Sequence, residues 1–312
     1  MFLRVSRFLA PMIAAGLVLL AGVSLNAQLP KSDSDIFSIN VDLVNVLYSV
    51  FDKKTKSFVT SFSQNDFSIY EDGRRQEITN FTRETNLPLT LVLLVDTSSS
   101  VTPKLKFEQD ASISFIHNML KETDRAMLVE FNSSVNLLQD FTNDPNKLAN
   151  QIRRLRAGGN SSLFDAIDLV CDQKMIRETG RKAMIVLSDG EDSGSTVNYK
   201  RAVEMALRAE STIFSISINH GGFFGTSDDT RKGDKILRNL ARETGGKVFF
   251  PFKVEELEDA FRQINTELRS QYSIGYLSTN SRRDGRFRKL EVKVNEKSME
   301  IKHRKGYYAP QN

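Results

Sequence analysis

Cysteine occurs once in this chain, at Cys171, so no intrachain disulfide can brace the fold and it must stand on its apolar core. Cys171 sits between Val170 and Asp172 with no basic neighbour to draw out a thiolate, and a buried, inert thiol is expected there. Histidine is also scarce: His117, His220 and His303 lie far apart. No G-x-S-x-G elbow, H-E-x-x-H pair or Walker-type phosphate loop occurs, and this removes the usual sequence signs of a hydrolase, a zinc protease or a nucleotidase. Low-complexity tracts and long runs of one charge are missing too, which argues for a mostly ordered protein. No apolar run is long enough for a comfortable membrane span. The longest, from Phe8 to Val23, is about 16 residues and is broken by Pro11, against about 20 for a spanning helix.

That run reads instead as the h-region of an export signal. Arg4 and Arg7 form the positive n-region, and Leu25-Asn26-Ala27 offers a cleavage site, making residues 1–27 a signal peptide. The alternative is an uncleaved N-terminal anchor. Export to the periplasm or beyond is the expectation. Loss of Arg4 and Arg7 takes the formal net charge from +4 to +2, a near-neutral balance that gives no basis for binding nucleic acid or anionic lipid. The basic cluster Arg282, Arg283, Arg286, Arg288 and Lys289 is expected to be solvated hairpin surface.

Three zones follow, at 28–87, 88–271 and 272–312. In the first, VDLVNVLYSVFD (41–52) and DFSIYEDG (66–73) read as strands, with QEITNFTR (76–83) as partner of the second. The middle zone alternates strands and helices. LTLVLLVD (89–96) is continuously apolar, as a strand covered on both faces requires. RAMLVEFN and VNLLQDF, separated by Ser133-Ser134, should form an antiparallel hairpin. Further strands are expected at 182–189, 212–219 and 247–252, and helices near 144–156, 163–178, 197–210, 234–244 and 254–271. The fold class is therefore α/β, with a doubly wound, mostly parallel sheet. In the last zone YSIGYLS, RKLEVKVN and MEIKHRKGYYA are again β. Neither flank has enough strands for its own core, so together they are expected to form one small β-sandwich-like domain. The alternative is that they extend the edges of the α/β sheet.

In an open α/β sheet, ligands lie beyond the carboxyl ends of the parallel strands. There the first buried strand ends in Asp96-Thr97-Ser98-Ser99-Ser100, another ends in Ser188-Asp189-Gly190, and the loop 157–162 brings Ser161 and Ser162 to a helix start. These are carboxylates and hydroxyls without imidazole or thiolate, a set suited to hard cations: Mg²⁺ first, with Mn²⁺ or Ca²⁺ as alternatives. With only two carboxylates the site keeps positive charge, and an acidic side chain of a protein partner could complete the coordination. A helix cap by Ser98 or Ser100 is the plainer alternative. Asp189–Gly194 imitates the start of an EF-hand, but Lys200 stands where a bidentate Glu is needed.

On these motifs, residues 88–271 resemble a von Willebrand factor A domain, and 96–100, 161 and 189 resemble its metal-ion-dependent adhesion site. The resemblance implies that Ser98 and Ser100 ligate the metal directly, and that Asp96 and Asp189 act directly or through water. It further implies that a third-loop hydroxyl joins when a ligand is bound. The family usually has Thr in that loop. Here the hydroxyl is Ser161 or Ser162, with Ser161 preferred because it sets Leu163-Phe164-Asp165-Ala166 in the family's register. The flanks DFSIYEDGRRQEITNF, RDGRFRKLEVKV and RKGYYAP resemble the bacterial, exported "VWFA-related" family. A non-catalytic, metal-dependent adhesion module is thus expected. The alternatives are an envelope assembly protein with a vestigial site and a metal-dependent hydrolase. Phe223 and Phe224, between glycines in the loop after 212–219, are candidate partner contacts beside the ion.

Overall fold

A computed structural model describes residues 43–83, 87–219 and 228–311. The first zone gives β1 (Leu43–Asp52), β2 (Ser57–Phe58), β3 (Phe67–Glu71), β4 (Arg74–Gln76) and β5 (Ile78–Arg83). The middle zone gives β6 (Leu89–Asp96), α1 (Leu105–Met119), β7 (Arg125–Phe131), β8 (Val135–Thr142), α2 (Pro145–Ile152), α3 (Leu163–Gln173) and β9 (Arg181–Ser188). It continues with α4 (Tyr199–Arg208), β10 (Thr212–Ser217), α5 (Asp228–Thr244), β11 (Val248–Phe249) and α6 (Val254–Arg269). The last zone adds β12 (Gln271–Leu277), β13 (Phe287–Val294), β14 (Met299–His303) and β15 (Gly306–Tyr308). Among the described residues no helix is long and apolar enough to cross a membrane. The signal segment 1–27 and the pair Phe223 and Phe224 lie outside the described residues.

The central sheet runs β11-β10-β9-β6-β7-β8, parallel throughout except for β8. Every residue of β6 is buried, because both faces are covered. Leu91, Leu93 and Val95 join Phe115, Ile116, Leu148, Leu257 and Phe261 from α1, α2 and α6. Val92 and Leu94 join Ile167, Cys171, Ala202 and Leu240 from α3, α4 and α5 on the other face. Each such aliphatic side chain contributes about 1.5–3 kcal/mol by leaving water. From β6 the chain passes through α1 to β7 on one side, whereas β9 lies on the other. The strand order therefore reverses at β6, and the crevice beyond the ends of β6 and β9 is where this topology places a ligand.

The flanks build two sheets of their own rather than extending the central one. One runs β14-β1-β12-β5, with β2 on β1, and the other runs β15-β13-β3-β4. Their inner faces share one core of Val46, Tyr48, Val50, Ile69, Tyr272, Ile274, Tyr276 and Leu290, which is a small sandwich drawn from both ends of the sequence. Arg288, expected on solvated hairpin surface, is instead buried and pairs with Asp284 (2.8 Å), and two expectations about elements also need correction. Only Arg74–Gln76 pairs with β3, while Ile78–Arg83 crosses to the other sheet and pairs with β12. The helix expected over 163–178 ends at Gln173, with a separate 3₁₀ turn at Met175–Arg177.

Candidate metal centre

The first loop leaves the sheet at Asp96, which is fully buried. Thr97 N–H still donates to the Phe131 carbonyl (2.8 Å), so the turn begins one residue later. Ser98 N–H donates to Asp96 Oδ1 (2.9 Å), which fixes the carboxylate toward the turn. Ser98 Oγ and Ser100 Oγ then lie 3.0 Å apart, and Ser100 Oγ donates to Asp189 Oδ2 at 2.5 Å. Ser98 makes no side-chain cap to the 3₁₀ turn that follows, so the plain capping role is not what it does.

The third loop is stitched to the first by backbone. Gly158 N–H donates to the Thr97 carbonyl (2.8 Å), and Ser99 N–H to the Gly159 carbonyl (3.0 Å). Gly159 has φ +84, and a Cβ there would meet Ser133 Oγ at 2.6 Å, so glycine is required. Ser161 Oγ donates to Asp96 Oδ2 (3.2 Å). Ser162 turns elsewhere: its hydroxyl is the atom that a Cβ on Gly194 would strike, at 2.8 Å. The segment that imitates a calcium loop clamps this corner. Ser193 and Gly194 N–H groups both donate to the Ser161 carbonyl (3.0 and 2.8 Å), and Asp192 Oδ1 accepts from Phe164 N–H (3.1 Å).

The loop after β9 brings Asp189, whose Oδ1 accepts from Glu191 N–H (2.9 Å). Its backbone is held by Asn219, which donates to the Asp189 carbonyl (2.7 Å) and to Asp234 on α5 (3.0 Å). Gly190 and Gly233 touch backbone to backbone, and a Cβ on Gly233 would lie 2.2 Å from the Asp189 carbonyl oxygen. All five residues singled out in the sequence, Asp96, Ser98, Ser100, Ser161 and Asp189, are thus gathered in one hydrogen-bonded cluster. Ser188 belongs to it as well, donating to Asp96 Oδ2 (2.7 Å) and accepting from Gly190 N–H (2.9 Å). Its place just before Asp189 was the available signal.

Burial pushes the Asp96 carboxyl up to about 6; the Asp189 charge adds to this, and the bonds from Ser98 and Ser188 oppose it. Two neighbouring carboxylates in a low-dielectric pocket repel, and a divalent cation between them would relieve both. Among the described residues no group of three His, Cys, Asp or Glu side chains is placed to hold a metal. The donors here are two carboxylates and a majority of hydroxyls, which fits a hard, oxygen-preferring cation.

The family model for the von Willebrand factor type A domain matches residues 90–266. No curated protein sequence matches the chain. Among solved structures, a von Willebrand factor type A protein from Catenulispora acidiphila is 12% identical, with a TM-score of 0.50 over 88% of this chain and 76% of that one. An aerotolerance-related membrane protein from Bacteroides fragilis is 16% identical, with a TM-score of 0.46 over 58% of this chain and 98% of that one. Proximal thread matrix protein 1 from the mussel byssus, with a zinc-occupied MIDAS motif, is 13% identical, with a TM-score of 0.49 over 64% and 49%. The family match covers the whole six-stranded sheet apart from the first residue of β6, and this chain belongs to the von Willebrand factor type A domain family.

Proposed function

We propose that the chain is an exported, non-catalytic binding module that holds a divalent cation, Mg²⁺ foremost, through Asp96, Ser98, Ser100, Ser161 and Asp189. The observation that carries this reading is the 2.5 Å contact from Ser100 Oγ to Asp189 Oδ2, which joins loops 89 residues apart into one oxygen cluster. Two carboxylates balance the charge of a divalent ion only on paper, since hydrogen bonds to Ser98, Ser188 and Ser161 spread the Asp96 charge. The ion therefore stays electrophilic toward a further carboxylate. A protein partner's Asp or Glu side chain is the ligand of that chemistry. Neither described histidine lies at the cluster: His117 is exposed on α1, and His303 is fixed in the sandwich by Val292 N–H and the Arg304 carbonyl. Export to the periplasm or cell surface belongs to the same proposal and rests on the N-terminal leader.

The test is retention of partners from a native envelope extract on the immobilised protein, in Mg²⁺ and then in chelator. Partners should elute with chelator and should not be retained by Asp96→Ala. Equal retention under all three conditions would move the contact surface to the sandwich and remove the metal from the function.

A further inference from the structure

Helix α1 carries a carboxyl group that the metal cluster does not use. Glu108 is 1% exposed, and neither of its carboxylate oxygens has a hydrogen-bond partner. One turn further on, the hydroxyl of Ser112 is also buried and unpartnered, so the same helix face carries two polar side chains into an apolar core. A bare buried carboxylate without partners is too costly to persist, and such a group takes up a proton. Glu108 makes no hydrogen bond to any of the five cluster residues and is eight positions beyond Ser100 in sequence. It nevertheless lies in the field of Asp96 and Asp189 from the strand ends, and of Lys104 one turn earlier on its own helix. Lys104 is anchored by donating to the Ile218 carbonyl. Asp96, Asp189 and Lys104 are the charged groups that act on it, and α2 and α6 contribute the apolar Leu148, Ile152, Leu257 and Phe261 to the same core.

We propose that Glu108 is the proton-holding partner of the metal centre: it is neutral while the centre is empty and releases its proton when a divalent cation binds. The inference rests on the metal reading above. A doubly charged ion beside Asp96 and Asp189 reverses the sign of the field at Glu108 and stabilises its ionised form. Lys104, one turn away, is placed to share the charge so created. No bond other than O–H breaks, and the proton leaves to solvent. Consistent with this, burial first and the Asp96 charge second push the Glu108 carboxyl up to about 8, so the metal-free protein carries the proton at neutral pH.

The experiment is calorimetric titration of the full chain with Mn²⁺ and Mg²⁺ at pH 7, in two buffers of different protonation heat. Wild type should release about one proton per ion, and its apparent affinity should rise by about tenfold per pH unit around neutrality. Glu108→Gln should bind the ion with a release near zero and a nearly flat pH dependence. The infrared band of a protonated carboxyl should also disappear when Mn²⁺ is added to wild type, a measurement that needs no variant. Ion binding with equal proton release in both proteins, or with no loss of that band, overturns the proposal and leaves the metal reading intact. No binding of either ion to wild type removes both.

Discussion

Replacing Asp96 with Asn should make the metal-free protein more stable while abolishing its response to metal. The buried carboxyl is raised from 3.8 to about 6, mainly by burial, so at pH 8 its ionised form is held in the fold at a cost. A gap of about two units corresponds to about 3 kcal/mol. Asn removes that cost and keeps its carbonyl oxygen for Ser98 N–H, while the Ser161 and Ser188 hydroxyls turn to accept from the new amide. The shift already includes the hydrogen bonds from Ser98 and Ser188, so the gain is about 3 kcal/mol, or roughly 5 °C in Tm for a chain of this size. The sign follows from linkage: an acid whose folded value is raised makes the fold lose stability as pH climbs from its unfolded value through its folded one. The advantage of Asp96→Asn should therefore be full at pH 8, shrink through pH 6 and vanish near pH 4. Wild type should gain about 2.7 kcal/mol at a hundredfold excess of Mg²⁺ over Kd, and the variant nothing. Thermal unfolding in chelator and in Mg²⁺, at pH 8 and pH 4, reads all of this. A variant that melts at or below wild type in chelator at pH 8, or that gains from Mg²⁺ as wild type does, refutes the reasoning.

Two further substitutions probe the loops. Ser161→Ala should weaken Mn²⁺ binding by about tenfold, the worth of one good polar contact, while Ser162→Ala should bind as wild type does; the reverse result in calorimetry reassigns the third-loop hydroxyl. Gly233→Ala should cost about 2 kcal/mol or more in urea unfolding and should also reduce stabilisation by Mg²⁺, because its Cβ would displace the Asp189 carbonyl; an unchanged Mg²⁺ effect would show that α5 does not set the metal loop.

The central sheet was legible because its signals are local and strong. An eight-residue apolar run such as Leu89–Asp96 fits only a strand covered on both faces, and the paired serines at 133–134 mark the one antiparallel turn. Strand ends then put Asp96 and Asp189 on one edge without further information, since parallel neighbours share a direction. The sandwich was less legible. QEITNFTR alternates acceptably as a hairpin partner for β3, and nothing local states that the pairing stops at Gln76. The choice is made by Phe81, which leaves for the aromatic cluster of Phe67 and Tyr272. Glu108 was hidden for a different reason. Its spacing from Leu105, Ala111 and Phe115 marks the buried face of α1, yet an acidic residue in a helix is read by default as solvated. Only the packed helix shows that water is excluded from it.

The contacts that shape the Asp189 loop also bind it to the rest of the protein. Near its start α5 presses Gly233 against Gly190 and holds Asn219 through Asp234; at its end the Glu243 carbonyl accepts from Lys305 N–H, and Gly245 lies against the backbone of His303. Both ends include backbone contacts at a glycine, separated by about 15–20 Å of helix at 1.5 Å per residue. A side-chain contact can yield by changing rotamer, but two backbones touching at glycine cannot approach further or slide without losing hydrogen bonds. A change in the position of Asp189 must therefore either break the Asn219 bridge or carry α5 with it, and the strand β14–β15 corner of the sandwich is what α5 would push. Helix α5 thus touches the Asp189 loop near one end and the β14–β15 corner of the sandwich at the other.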